Sequence, residues 1–214
     1  MDHYLYLDET GTPDFESSPG ERYFGVGSTH WNRSHGDALW DGHALRLAME
    51  AIGIQLPKGL HAKNDRASMR AQVYRLIAQQ DPRFDSTIFR KEQALPHVKA
   101  AGAAHFYKLA LWLHLKYVIP NISAPNDRVF LIAGSLQTSR KRSAIRNAVE
   151  DVARQLGGDR VVIPCIWDAP TAWGIQTADY PLWRVHRQLE GLLVPDYAKV
   201  ADHCIRPAFR PWEK

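Results

Sequence analysis

Cysteine is nearly absent. Cys165 and Cys204 are the only two in 214 residues, and they supply neither a disulfide framework nor a zinc set. A reducing compartment is therefore expected. Long hydrophobic runs are missing too. The longest apolar segment, Leu109 to Ile119, is interrupted by His114 and Lys116 and is too short to span a bilayer. No basic stretch leads into an apolar one at the start, so we expect a cytoplasmic protein without a membrane partner. Charge of one sign is modest: the net +4 permits nucleic-acid contact without demanding it. There is no glycine-rich phosphate loop, which argues against an ATPase. A Gly-x-Ser-x-Gly elbow and a His-Glu-x-x-His zinc helix are also lacking. Repeats and low-complexity stretches do not occur.

What is present suffices for a core. Hydrophobic residues make up 45% and charged residues 23%, which suits one domain spanning residues 1–214. Tyr4 to Leu7 and Arg22 to Thr29 read as strands joined by a turn, hence antiparallel. Gly25 and Gly27 leave one face of the second strand bare, inviting close approach of another element. Helical spacing follows over His35 to Ile54 and, capped by Asp65, over Arg66 to Gln80. These two helices form an insertion at about residues 35–82. Asp85 to Arg90, Arg128 to Ala133 and Arg160 to Ile166 read as further strands. Helices are expected over Pro96 to Tyr117, from Ser139 or Ser143 to Leu156, and over Trp173 to Glu190. The tail from Val194 should pack irregularly. Late strands alternating with helices favour parallel crossovers. The layout is an α/β mixed sheet flanked by helices, of the ribonuclease H-like kind, with the helical insertion after the second strand.

Two acidic motifs stand at opposite ends of this chain. Asp8-Glu9-Thr10-Gly11 closes the first strand, and Gln176-Thr-Ala-Asp179 opens the last helix. Carboxylates gathered at a sheet edge can hold a divalent cation, which points to phosphodiester chemistry. Asp8 and Glu9 are adjacent on a strand and point to opposite faces, which favours Asp8 as the ligand. Its alternative is a turn closing onto Thr10 and Gly11. On a helix Asp179 shares a side with Gln176, Trp183 and Arg187, opposite an apolar stripe of Ile175, Ala178, Leu182, Val185 and Leu189. Pro181 would kink or restart that helix just past Asp179. Asp168 follows a strand end and reads equally as ligand or cap. His61, in a loop, could transfer a proton or touch substrate, and Lys63 beside it could neutralise phosphate. Arg140 and Arg142 belong to the densest basic cluster, at a helix start where they oppose the macrodipole and could bind phosphate.

Asp8-Glu9-Thr10-Gly11, Gly25-Val-Gly27, Leu60-His61-Ala62 and Gln176-Thr-Ala-Asp179-Tyr180 together resemble the DUF3800 family. The resemblance spans Tyr4 to about Glu190. It implies a ribonuclease H-like fold and a metal-dependent nuclease. Catalytic residues would come from Asp8, Asp179, His61, Glu9 and Asp168. Asp8, Asp179 and Asp168 would hold Mg²⁺ or Mn²⁺. Lys63, Gln176, Arg140 and Arg142 would contact nucleic acid. Thr10 replaces the family's usual serine. The strand ending at Ala133-Gly134 lacks the acid such nucleases commonly carry there, and Asp168 is the candidate substitute. Without it, the chain would be a binding member of the same fold.

Overall fold

The computed structural model describes residues 1–16, 21–31, 35–134, 139–156 and 160–213, with the side chains of 139–145 and 156 left out. Five strands form one sheet: β1 (Asp2–Thr10), β2 (Tyr23–His30), β3 (Arg83–Arg90), β4 (Arg128–Gly134) and β5 (Val161–Trp167). Their spatial order is β3-β2-β1-β4-β5. β1 and β2 pair antiparallel, as do β2 and β3, whereas β4 joins β1 and β5 in parallel. The antiparallel half therefore lies on one side of β1 and the crossover-linked half on the other.

Strand alternation sends successive side chains to opposite faces. Leu5 and Leu7 join Phe24, Val26, Val129, Leu131 and Ala133 on one face. They pack under α3 (Pro96–Ile122) and α4 (Ser139–Leu156), whose Phe106, Leu111, Leu115, Val149 and Val152 complete a continuous core. Tyr6 and Ile132 face the other way and meet Ile175 of α5 (Trp173–Leu189). The insertion supplies α1 (Gly36–Ala51) and α2 (Ala67–Gln80), which lie on the α5 side. There Tyr74 and Ile77 pack with Trp173, Tyr180 and Ala198. Gly42 of α1 is required by this packing, because a Cβ would fall 2.1 Å from the Trp173 ring.

Several expected details change. Asp65 does not cap α2. Arg66 holds the N-cap position with no side-chain bond, and the Asp65 carboxylate turns to the His61 N–H and the Tyr180 hydroxyl instead. Pro181 neither kinks nor restarts α5, which stays helical through Leu189. α3 runs past Tyr117, through Pro120, to Ile122. It breaks earlier, at Gly102, with φ 80°. The tail is more ordered than expected. It forms α6 (Asp196–Lys199) and a 3-10 turn at Asp202–Cys204. Ile205 then bridges Phe84 and Phe209 bridges Thr87, so the tail covers the outer edge of β3.

Candidate active site

A cleft of about 750 Å³ opens where β1 ends against α5 and the insertion loop. Two glycines explain how α5 comes so close. A Cβ on Gly174 would lie 2.3 Å from the Tyr6 ring, and one on Gly27 would lie 3.1 Å from Leu182. Bare backbone at both points lets the helix settle on β1 and β2. Asp8 pairs with Gly27 in the sheet, so the same close approach sets Asp179 opposite Asp8.

Both carboxyls are half-buried. Burial, then the charge of Asp179, then that of Glu9, hold the Asp8 carboxyl well above the usual carboxylate range. Burial also raises Asp179, partly offset by His61 and by the Ala62 N–H. That N–H donates to Asp179 Oδ2 at 2.7 Å, and His61 Nδ1 lies 3.6 Å from the same oxygen. Glu9 takes the opposite side of the strand, where its charge helps raise the Tyr107 hydroxyl of α3. Burial pushes Glu9 itself up to about 7. Carboxyls strained upward by desolvation and like charge in a cleft are a mark of functional sites.

The insertion loop is moored to α5 by polar contacts. Asp65 Oδ2 accepts the His61 N–H at 2.9 Å and the Tyr180 hydroxyl. Arg70 donates to the Ala62 carbonyl at 3.0 Å and lies over the Trp183 ring at 5.0 Å. Lys63 N–H donates to His61 Nδ1 at 3.2 Å. Gly59 takes φ +70°, and a Cβ there would strike the Pro170 carbonyl at 2.5 Å. The loop thus carries His61 to Asp179 with its backbone held at several points.

Asp8, Asp179, His61, Lys63 and Gln176 all line this cleft, and Glu9 borders it at the end of the strand. Gln176 does so as a brace: its Nε2 donates to the carbonyls of Ala169 at 3.1 Å and Pro170 at 3.0 Å. Asp168 is the exception. It is exposed and lines a separate cavity with Tyr6, His43 and Trp167. The 3-10 turn at Ala169–Thr171 sends Ala169 toward the main cleft and Asp168 away from it. The side chains of Arg140 and Arg142 lie outside the described residues. The sequence reading passed over Lys58, Arg70, Glu21, His186 and Glu190, which also line the cleft. For His186 and Glu190 a signal existed. They extend the Gln176, Asp179, Trp183 stripe at spacings of three and four. His186 Nδ1 lies 3.1 Å from the Thr10 hydroxyl, tying the helix to the strand end.

Strand order, mixed pairing and helices on both faces define a ribonuclease H-like fold. Among solved structures, the chain is similar to ribonuclease H2 from Pyrococcus horikoshii OT3, with a TM-score of 0.52 and 11% identity. That alignment covers 88% of this chain and 73% of the other. Bst-RNase HIII in complex with Mn²⁺ aligns with a TM-score of 0.45 and 16% identity, over 90% of this chain and 56% of that one. Identities this low establish likeness of fold alone. No family model matches the sequence, and no curated protein matches it. None of the described helices is long and apolar enough to cross a membrane.

Proposed function

We propose that the chain is a metal-dependent phosphodiesterase acting on nucleic acid, with Asp8 and Asp179 as its metal ligands. The observation that carries this reading is the facing pair itself: two half-buried carboxyls that repel each other in a cleft rimmed by Lys58, Lys63 and Arg187. Such a pair fits a hard divalent cation, which would offset the repulsion. Among the described residues no third carboxylate or imidazole closes with them into a compact trio. Mg²⁺ suits that, since it keeps several waters and needs only one or two protein carboxylates. When bound, Mg²⁺ or Mn²⁺ activates water and stabilises charge on a scissile phosphate.

The chain's own groups do the rest. Lys58, Lys63 and Arg187 meet backbone phosphates and set the register of the strand. Arg70 and Asp65 hold the loop that carries His61. With Nδ1 accepting the Lys63 N–H, His61 Nε2 is the nitrogen free to hold or pass a proton at the leaving oxygen. The resemblance to the DUF3800 motifs points to Asp8, His61 and Asp179 among these.

The test is cleavage of labelled DNA, RNA and hybrid duplexes by purified protein in Mn²⁺, Mg²⁺ or EDTA, alongside Asp8→Asn. Metal-dependent cleavage that Asp8→Asn loses is the expected result. Undiminished cleavage by Asp8→Asn overturns the reading. A second reading has one specific support: β4 ends at Gly134 without an acid and Asp168 faces away from the cleft. On that reading the cleft binds nucleic acid without cutting it. Calorimetry with Mn²⁺ separates the two, because only the first requires the cleft to take up an ion.

A further inference from the structure

Outside the cleft, three potential ligand atoms converge on the far end of α2. Asp81, His203 and Cys204 each offer a donor, and these donors all lie within 4.8 Å of one another. His203 Nε2 is 3.6 Å from Asp81 Oδ1, and Cys204 Sγ is 3.9 Å from the same oxygen. Bond lengths of 2.0–2.3 Å place the ligands of tetrahedral zinc about 3.3–3.8 Å apart. The two separations to Asp81 already come within a few tenths of an ångström of that.

The setting favours a cation independently of the spacing. Asp81 is the C-cap of α2, so the cluster sits at the negative end of the helix macrodipole. Two carbonyls of the last turn face it: Ala78 O lies 3.2 Å from His203 Nε2, and Ile77 O lies 3.9 Å from Cys204 Sγ. Asp81 takes the left-handed conformation, φ 47°, rare for a residue with a side chain, and this aims its carboxylate at the tail. Cys204 is 1% exposed, and its thiol lies 3.9 Å from both Ile77 O and Asp81 Oδ1. The thiol is thus buried and pointed at a carboxylate. Asp81 and His203 are exposed, which leaves room for a water as fourth ligand. The low cysteine count excludes an all-cysteine zinc set but not this mixed one, in which Asp81 lies more than a hundred residues from the adjacent His203 and Cys204.

We propose that Asp81, His203 and Cys204 bind one zinc ion that clamps the C-terminal tail to α2. On binding, the thiol proton passes to solvent and the thiolate takes its place on the metal. The imidazole keeps one proton, moved to Nδ1, so that Nε2 can coordinate. The clamp sits directly before Ile205–Phe209, the segment that covers the β3 edge: Phe209 N–H donates to the Ser86 carbonyl at 2.8 Å, and Ile88 N–H to the Phe209 carbonyl at 2.8 Å. Zinc would therefore fasten the cover of an otherwise open strand edge.

Cobalt(II) titration of the full chain tests this, because a cobalt–thiolate bond gives its own charge-transfer band in the near ultraviolet. The acidic cleft contains no cysteine, so ions bound there cannot produce it. The expected result is one equivalent of cobalt with the thiolate band, displaced by zinc, and a higher Tm with zinc than with EDTA. His203→Ala, an exposed position that should fold normally, is expected to weaken binding at least about 100-fold and to abolish the Tm gain. Cys204→Ser should remove the band. No thiolate band, or a band and a Tm gain undiminished in His203→Ala, overturns the proposal.

Discussion

The two faces of the sheet differ in what they tolerate. Under α3 and α4 the buried side chains form one continuous apolar cluster. Under α5 and the insertion they form three smaller clusters, and the polar cleft opens among them. Asp8 and Glu9, one residue apart, divide between these faces by strand alternation alone. The divided face holds the carboxyls that burial and repulsion work against.

The sharpest way to break that division is Asp8→Asn, or equally Asp179→Asn. Each is expected to lower cleavage by at least about 1,000-fold, since charge stabilisation at the scissile phosphate is lost. Stability should move the other way. The Asp8 carboxyl is raised in the folded state, so the native chain binds more protons than the unfolded chain above the ordinary carboxylate range. Ionisation at neutral pH therefore weakens folding, and a neutral amide removes that penalty. Thermal melts at pH 7 should show a Tm equal to or above wild type. A clear drop would mean the carboxylate is a structural anchor.

Leu131→Ala probes the opposite face. Leu131 is fully buried beneath α3 and α4. Truncation leaves a cavity and is expected to cost about 2–5 kcal/mol by urea unfolding. Activity per folded molecule should stay near wild type. Loss of activity without loss of stability would show that the faces are coupled.

The face under α3 and α4 also holds a proton-sensitive group. His114 of α3 is fully buried, with Nε2 2.8 Å from the Ser28 hydroxyl and Nδ1 3.0 Å from the Thr87 hydroxyl. Burial pushes its imidazole down to about 4, with Asp85 opposing. An unfolded histidine titrates near 6.5. Between those values the unfolded chain binds more protons, so stability is full above about pH 6.5 and falls as pH drops toward about 4. A shift of this size corresponds to roughly 3 kcal/mol. Unfolding measured from pH 7 to pH 4 in wild type and His114→Gln should show a shallower slope in the variant. Equal slopes would remove His114 as the source.

Much of this architecture was legible in the residues. Runs of strand-forming and apolar residues marked the strands, the turn expected between the first two pointed to the antiparallel half, and the bare Gly25-Val-Gly27 face announced close packing. Asp8 and Asp179 stood out by motif. The misses at Asp65 and Pro181 depended on contacts between segments distant in sequence, whereas Asp168 turned on its own local backbone. Asp65 resembles a helix cap, but the Tyr180 hydroxyl, 115 residues away, claims its carboxylate. Asp168 lies one residue from Ala169, and only the following 3-10 turn decides which of the two faces the cleft. Pro181 is tolerated because α5 is held by packing along most of its length, so one lost backbone bond does not break it.

Lys63→Ala should have the smallest effect and isolates the rim of the cleft from its floor. Lys63 lines the cleft beside His61, and its charge acts on His186 across the opening. If it meets a phosphate, removing it should reduce the salt slope of nucleic-acid binding by about one, uniformly across sequences. Folding stability should change by no more than about 0.5 kcal/mol, as for an ordinary surface position. Fluorescence anisotropy over a range of salt, using Asp8→Asn protein so that nothing is cut, reads the slope directly. An unchanged slope would place the phosphate path elsewhere, and the carboxyls on the floor would then need a substrate approaching from another side.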